Sequence, residues 1–600
     1  MSKKVYEQAK KLSILGTYVS RMDVTKDDQE VLFFSINSFS EISYNSLDIE
    51  DFFSREDFEG SIDLFNESLI KLLKKIDENL KTCNIEGSFF DSGFWLTHRF
   101  SDIYFLHSLT EQINSLYEDV NLYVPDNYTK LNIEECSLKD FSFKNLDSGL
   151  IHSLQFLECG LINPKVIRVD KKNNFFSFNF LRLSQLFSRS FEILKRRVLL
   201  KFFVFFKSMF SRKKYKKVLI FKNGYDLDFL INKYSSKIVE YIDLNKINTN
   251  NFGSSDLDED TTRKIIDEID SFLNHWLPLY KNELKNFFSS FLEEISLKAN
   301  SLRNSLKKEI LSHSPEAILF NSGATSLFEK IISRISNEYN VPLYYLRHQG
   351  IELSFLRPSY LDLFIDKQPD IKRIQFLNHK LEHKLFNLDK KVELKYFGLI
   401  DFSQPSIRNS QNKKGILYSV GPPAHFSFKN LRDVISDRER YDLAKNLFEV
   451  STNSEINLDI KVHPGELKLS YDLFRRLVRT YNEKKNLRII VDGSIERILK
   501  NYDLVILDII SSRVLTYSLF LKKNIILYVP EHYSLNEYFY EYLFSRVHIV
   551  KNKSDLESVL INYKKNTLPK KDFEGFDKLF FSKNYHDNIL ESFYNEIFKL

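Results

Sequence analysis

The sequence predicts an α/β chain in which two doubly wound domains with parallel sheets follow an N-terminal α/β region. The last two thirds alternate short apolar runs with helical stretches, the pattern of strand-helix units around a parallel sheet. The chain has 600 residues, which is too long for one ordinary domain, so we expect two to four. Its hydrophobic fraction of 43% is typical of a soluble globular protein, which excludes a polytopic membrane protein and a mainly disordered chain.

Residues 1–194 are predicted to form an α/β accessory region or a part of the first domain. Helical periodicity covers Ser61–Leu80 and Ser101–Tyr117, and the apolar runs Val31–Ser35 and Val120–Val124 are typical of strands. No candidate site is found in this region.

The segment 195–217 is basic and rich in phenylalanine. It has ten Lys or Arg, no Asp or Glu, and the apolar centre Val198–Phe210, which two lysines interrupt. Thirteen such residues are too few to span a bilayer, but basic flanks around phenylalanine suit an interfacial segment on anionic lipid. The alternative is a buried helix with solvated ends.

Residues 218–405 are predicted to form a first Rossmann-like domain, because apolar runs with strand character recur along them and turn residues or helical stretches separate these runs. The predicted strands are Lys217–Phe221, Ile238–Leu244, Glu316–Phe320, Pro342–Leu346, Leu361–Ile365 and Val392–Phe397.

Residues 414–570 are predicted to form a second Rossmann-like domain, after a polar linker over residues 403–414. A weaker strand-helix pair ends it near Lys565, and the segment 571–600 is predicted to end in a helix. The predicted strands are Gly415–Gly421, Leu458–His463, Leu487–Val491, Leu504–Asp508 and Asn524–Val529.

Charge and cysteine content narrow the partners and the compartment. With 86 Lys and Arg against 81 Asp and Glu, the net charge of +5 is small for this length, so we do not expect a nucleic-acid partner. The cysteines Cys83, Cys136 and Cys159 lack CxxC spacing, which disfavours a zinc ribbon or a disulfide scaffold. No secretory signal pattern is recognised at the start, so we expect a cytoplasmic protein.

The most informative short motif is Lys461-Val-His463-Pro464-Gly465-Glu466, which directly follows a predicted strand. In open α/β sheets, ligands bind beyond the carboxyl ends of the strands. A histidine there can donate an N–H to a phosphate oxygen, and the proline restricts the loop that carries it. The alternative is a turn with a solvent-exposed histidine.

A second motif lies about 45 residues further on, where Ser511 and Ser512 open a helix after Leu504–Asp508. Hydroxyls and unpaired N–H groups at a helix N-terminus form an anion site, although a serine there can also simply cap the helix. Together the two motifs predict a phosphate held between adjacent loops of one sheet, with Gly421 in the Gly-Pro-Pro loop as a third wall.

This succession of motifs resembles a known family. Lys-x-His-Pro at a strand end, then Asp503–Asp508, a serine pair, a helix, Lys-Lys-x-Ile and a tyrosine-containing strand are similar to the donor domain of bacterial CDP-glycerol glycerophosphotransferases and related surface-polysaccharide glycosyltransferases. The His-Pro and serine motifs also resemble those of bacterial sialyltransferases and Kdo transferases, which use CMP-activated sugars. The resemblance covers about residues 218–570. It implies the GT-B fold, in which two Rossmann-like domains face a cleft.

The resemblance implies that His463, Pro464, Glu466, Ser511, Ser512 and Gly421 contact the donor nucleotide. Two departures from the family pattern stand out. The serine pair follows Asp508 one residue later than the usual Asp-x-Ser-Ser, and the first-domain motif reads Arg347-His348-Gln349-Gly350 where the family commonly has His-Gly.

Inverting transfer to a hydroxyl needs a general base, which we expect on the first domain. The candidates at strand ends are Asp226, His348 and Glu352, each of which also has an ordinary structural interpretation. No Asp-x-Asp motif at a strand end indicates a metal ion, so helix N-termini, His463 and nearby Lys or Arg are expected to stabilise the leaving phosphate. No cofactor is expected beyond the nucleotide-activated donor.

The leading hypothesis is therefore a peripheral GT-B glycosyltransferase on the inner face of the cell membrane. It would move a sugar or polyol phosphate from a CMP- or CDP-linked donor to a bacterial surface glycan or its lipid-linked precursor. The alternatives are a nucleotide-sugar epimerase or hydrolase on the same fold, and a catalytically decayed scaffold of a glycan-assembly complex.

Overall fold

The computed structural model of the chain describes three parallel β-sheets with their helices. The described residues are 11–15, 30–33, 46–47, 51–52, 55–80, 88–125, 128, 146–169, 218–221, 240–242, 258–321, 327–346, 373–377, 392–396, 415–421, 435, 437–462, 470–481, 486–490, 495–510, 512–531, 535–569 and 571.

The N-terminal residues form a sheet of their own. Its five strands are all parallel, in the order β3-β2-β1-β4-β5. The predicted helices and strands of this region are present, and β1, β3, α3 and β5 are additional to them. The elements are β1 (Lys11–Leu15), β2 (Glu30–Phe33), β3 (Ser46–Leu47), α1 (Arg55–Asn79), α2 (Ser88–Leu116), β4 (Asp119–Pro125), α3 (Leu146–Gly160) and β5 (Lys165–Val169).

Successive side chains of a strand point to opposite faces of the sheet, so this sheet contributes residues to two apolar clusters. Leu12 and Ile14 of β1 pack with the helices of the N-terminal region. Leu15, Val31 and Tyr123 belong instead to a cluster that also contains the core of the C-terminal sheet. Both faces of the N-terminal sheet therefore carry buried apolar side chains.

The middle of the chain forms a second parallel sheet, with the strand order β11-β10-β9-β8-β6-β7. This order reverses between β6 and β8, so the sheet is doubly wound as predicted. The elements are β6 (Val218–Phe221), β7 (Glu240–Ile242), α4 (Glu259–Trp276), α5 (Lys281–His313), β8 (Ala317–Asn321), α6 (Leu327–Glu338), β9 (Leu343–Leu346), β10 (Arg373–Leu377) and β11 (Val392–Tyr396). The predicted strand Leu361–Ile365 lies outside the described residues, and β10 was not predicted.

The long helices α4 and α5 were also not predicted. Asp258 caps α4 by accepting a hydrogen bond from the Thr261 N–H at 2.8 Å, and this hydrogen bond lowers the pKa of Asp258. The buried residues Ile265, Ile269 and Leu273 recur at helical spacing along α4. The cap and the spacing together explain why this stretch folds as an amphipathic helix.

The two helices pack against the N-terminal region. Trp276 of α4 contacts Phe65 of α1 edge to face, with 5.6 Å between ring centroids. Phe288 of α5 contacts Phe100 of α2, with 4.8 Å between centroids. Further along α5, Lys307 pairs with Glu338 of α6 at 2.7 Å. Helix α5 thus connects the N-terminal region to the second sheet.

The C-terminal sheet carries the predicted strands in one layer, with the order β14-β13-β12-β15-β16-β17. The prediction that the strands near 416–420 and 525–529 share a sheet is confirmed, since they are β12 and β16. The elements are β12 (Ile416–Ser419), α7 (Asp437–Asn453), β13 (Leu458–Lys461), α8 (Ser470–Tyr481), β14 (Leu487–Ile490), α9 (Ile495–Ile498), β15 (Leu504–Leu507), α10 (Arg513–Phe520), β16 (Asn524–Tyr528), α11 (Glu537–Arg546), β17 (His548–Val550) and α12 (Lys553–Lys564).

The central strands of this sheet carry buried apolar side chains on both faces. Tyr418, Ile460 and Ile506 lie in one apolar cluster, and their chain neighbours Leu417 and Leu507 lie in another. The sheet is therefore a rigid base for the loops at its carboxyl edge.

Besides the predicted strand Leu361–Ile365, three predicted segments fall outside the described residues: the linker 403–414, the basic segment 195–217 and the C-terminal segment beyond Lys571. Within the part of the chain that the structure describes, no helix is both long and apolar enough to cross a membrane.

Candidate functional site

The candidate site lies at the carboxyl edge of the C-terminal sheet. The strand order reverses at β12, which has β13 on one side and β15 on the other. A topological switch point therefore lies between β12 and β15, where open α/β sheets bind their ligands. Gly421 follows β12, and Ser512 follows β15, at this edge.

The strand order corrects one expectation. We expected the loops after β13 and β15 to be adjacent, but β12 lies between these two strands. Gly421, which follows β12, is thus at the end of the strand that lies between the other two.

Asp508 joins the carboxyl ends of β12 and β15. Its side chain is fully buried, and its oxygens accept three hydrogen bonds. The Gly421 N–H donates to Oδ1 at 2.6 Å. The Tyr418 hydroxyl and the Arg440 Nε–H both donate to Oδ2 at 3.0 Å. Asp508 directly follows β15, and its hydrogen bonds therefore connect the end of β15 to the end of β12 and to the first turn of α7.

The electrostatics of this cluster keep Tyr418 protonated. Burial raises the pKa of Tyr418 well above its usual value, the Asp508 carboxylate raises it further, and Arg440 lowers it. A protonated phenol donates its O–H to Asp508, as the geometry requires. The charge of Asp508 is balanced by Arg440, whose side chain is also fully buried.

A glycine is required at position 421, because the backbone just after β12 passes very close to residues 508 and 509. A Cβ atom on Gly421 would lie 2.8 Å from Ile509 Cγ2 and 2.9 Å from Asp508 Oδ1. Only glycine allows the backbone N–H to come so close to the carboxylate. The Gly421 N–H donates to Asp508 and is therefore not free to bind a phosphate, and a contact between Gly421 and the donor nucleotide stays a prediction.

We expect Gly421→Ala to lower the free energy of unfolding of the C-terminal domain by about 1–3 kcal/mol, because the added methyl group overlaps the side chain of Ile509. Urea unfolding followed by hydrogen exchange in β12 and β15 measures the change. Gly60→Ala is the matched control, since a Cβ there meets nothing within 4 Å. Its exposed helical position should make it neutral or stabilising by about 0.5–1 kcal/mol. Equal stability of Gly421→Ala and the parent would disprove the close approach.

Ser512 is the N-cap of α10. Its backbone is extended, and its hydroxyl oxygen accepts a hydrogen bond from the Val514 N–H at 3.0 Å. The capping interpretation of this serine is therefore confirmed. A hydroxyl that accepts one hydrogen bond still has its own proton to donate, so capping does not prevent Ser512 from contacting an anion.

The remaining predicted site residues lie outside the described residues, and their roles stay predictions. Along the chain, three of them follow β13 and one directly precedes Ser512. The other three follow β6 or β9, two strands of the middle sheet that have β8 between them. These residues are His463, Pro464, Glu466, Ser511, Asp226, His348 and Glu352. Among the described residues, no group of three His, Cys, Asp or Glu side chains is arranged to hold a metal ion.

Sequence reasoning missed Arg440 and Tyr418. The available signal was the spacing of Arg440 from Leu443, Ala444 and Leu447, which places an arginine on the apolar face of a helix. A cation on a buried face needs a buried anion, and Asp508 is that anion.

The fold defines the class of the chain. Three parallel sheets, in each of which the strand order reverses, make the described chain an α/β protein with doubly wound, Rossmann-like sheets, and the N-terminal region contributes the third of them. No model of a known protein family matches the chain, and no curated protein matches it either.

Similar solved structures have low identity and low TM-scores. S. aureus MnaA, solved with UDP, is 11% identical, with 64% of this chain and 96% of that chain covered and a TM-score of 0.36. The UDP-GlcNAc 2-epimerase of Methanocaldococcus jannaschii, in complex with UDP-GlcNAc and UDP, is 11% identical, with 63% and 98% covered and a TM-score of 0.35. The pneumococcal O-GlcNAc transferase GtfA, in complex with UDP and GlcNAc, is 10% identical, with 49% and 59% covered and a TM-score of 0.33.

Proposed function

We propose that the chain is a glycosyltransferase that uses a nucleotide-activated donor bound at the carboxyl edge of the C-terminal sheet. The observation that carries the proposal is the switch point between β12 and β15, with Gly421 and the capped N-terminus of α10 at that edge. The sequence adds a His-Pro pair that begins two residues after the end of β13.

In the proposed mechanism, a phosphate of the donor accepts hydrogen bonds from His463 and from the hydroxyls of Ser511 and Ser512. These donors and the positive end of the α10 dipole stabilise the negative charge that develops on the leaving phosphate, without a metal ion. A general base on the first domain takes the proton of the acceptor hydroxyl, for which Asp226, His348 and Glu352 are the candidates. When a sugar is transferred, the acceptor oxygen forms its bond to the sugar carbon as the bond from that carbon to the phosphate oxygen breaks, which inverts the carbon and releases the nucleotide. When a polyol phosphate is transferred, the acceptor oxygen instead forms its bond to the phosphorus of the polyol phosphate as the bond from that phosphorus to the oxygen of the leaving nucleotide breaks.

The substrates follow from the motif resemblance. We propose a CMP- or CDP-linked donor that supplies a sugar or a polyol phosphate, and a bacterial surface glycan or its lipid-linked precursor as the acceptor. We further propose that the basic segment 195–217 holds the protein against anionic lipid on the inner face of the membrane, where such an acceptor is available.

The first test is a thermal-shift screen of CMP, CDP, UDP, GDP and ADP, because a ligand that binds the native state raises the melting temperature. We expect CMP or CDP to give the largest shift. Conversion of a nucleotide sugar without release of the nucleotide would favour an epimerase instead. Failure of every nucleotide to bind would favour the scaffold.

We expect His463→Ala to weaken binding of the selected nucleotide by about 10- to 100-fold, because a charge-assisted hydrogen bond contributes about 1.5–3 kcal/mol. Titration calorimetry measures the affinity, and the melting temperature without ligand should change little. His275→Ala, which alters an exposed histidine of α4, is the control and should bind as the parent does. An unchanged affinity in His463→Ala would remove this histidine from the site.

A further inference from the structure

Asp508 holds both ends of the connection between β12 and α7. The connection begins next to Gly421, whose N–H donates to Oδ1 at 2.6 Å. It leads into the first turn of α7, where the Nε–H of Arg440 donates to Oδ2 at 3.0 Å. Tyr418, on β12 itself, donates a third hydrogen bond to the same carboxylate.

Stability alone does not explain a fully buried ion pair at this place. Removing two charges from water is costly, and apolar side chains of similar volume often stabilise a fold equally well. The pair lies at the carboxyl edge of the two strands that flank the switch point, where the position of the backbone matters for a ligand. The directional hydrogen bonds fix the end of β12 relative to β15, which apolar packing would do less specifically.

We propose that Asp508 is a positioning residue of the donor site, held in place by Arg440 and Tyr418, and this inference rests on the proposed function. Its carboxylate sets the position of Gly421 and of the backbone that borders the bound nucleotide. It does so without contacting the donor, because its side chain is fully buried and its oxygens accept hydrogen bonds from groups of the protein.

Two double variants separate positioning from stability. Asp508→Asn with Arg440→Met removes both charges but keeps an amide oxygen that can accept the Gly421 N–H. Asp508→Ala with Arg440→Met also removes both charges but leaves that N–H without its acceptor. Neither variant buries an unpaired ion, so both are designed to fold.

The probe is the nucleotide that gives the largest thermal shift with the parent protein. We expect its dissociation constant in the Asn/Met variant to stay within about threefold of the parent, and that of the Ala/Met variant to rise by about tenfold or more. In the ligand-free protein, the amide of Gly421 should exchange faster in the Ala/Met variant than in the Asn/Met variant.

Equal affinities in both double variants would overturn the proposal and leave Asp508 a stabilising residue only. If the parent binds no nucleotide, the proposed function fails, and hydrogen exchange then decides the claim about Asp508. Faster exchange of the Gly421 amide in the Ala/Met variant alone would keep Asp508 as the residue that positions the end of β12. Equal exchange in both variants would refute it.

Discussion

Replacing Asp508 with alanine alone is expected to lower the free energy of unfolding of the C-terminal domain by about 3–5 kcal/mol. The reason is that the Arg440 guanidinium, which is fully buried, would keep its charge and lose its carboxylate partner. The Gly421 N–H and the Tyr418 hydroxyl would lose their acceptor as well. Urea unfolding followed by hydrogen exchange in β12 and β15 measures this loss on the full chain.

Asp442→Ala on α7, the helix that carries Arg440, is the matched control. Asp442 pairs with Arg438 at 2.9 Å, but both side chains are partly exposed, and such pairs contribute about 0.5 kcal/mol or less. If the two single variants lost equal stability, the Asp508 cluster would not be the buried ion pair described above.

The second large effect is expected at Phe288 in α5. Phe288→Ala should destabilise the N-terminal region by about 3–5 kcal/mol, because the ring is fully buried and packs on Phe100 of α2. The two tryptophans of the chain, Trp95 in α2 and Trp276 in α4, both belong to the helices of this unit. Tryptophan fluorescence during urea unfolding therefore reports on it selectively.

Leu311→Ala is the control for this prediction, because Leu311 lies on the same helix and is 45% exposed. We expect a change within about 0.5 kcal/mol. A tryptophan transition that shifts equally in both variants would show that α5 does not pack on the N-terminal region.

The C-terminal sheet was predictable because its sequence is locally consistent. Strands such as β12, β15 and β16 are short, mainly apolar runs, and a glycine, a proline or a polar residue follows within two positions, as in Gly415–Gly421. Parallel pairing also follows from the helical stretch between successive strands. The order of the strands does not follow from such local patterns, so the position of β12 between β13 and β15 was not predicted.

The Asp508 cluster was beyond sequence reasoning because its members come from three elements that are distant along the chain. Tyr418 and Arg440 lie 90 and 68 positions from Asp508, and only the folded sheet brings them together. Helices α4 and α5 were missed for a different reason. The acidic cap at Asp258 and the buried spacing of Ile265 and Ile269 are local signals that a complete search for helices would have found.

The central claim is that the carboxyl edge of the C-terminal sheet binds the nucleotide of an activated donor. The most direct measurement is a crystal structure of the full chain with the nucleotide that raises its melting temperature most. The account predicts that the nucleotide phosphate lies at the switch point between β12 and β15, within hydrogen-bonding distance of His463 and of Ser511 or Ser512. A nucleotide bound at the edge of another sheet, with that switch point empty, would contradict it.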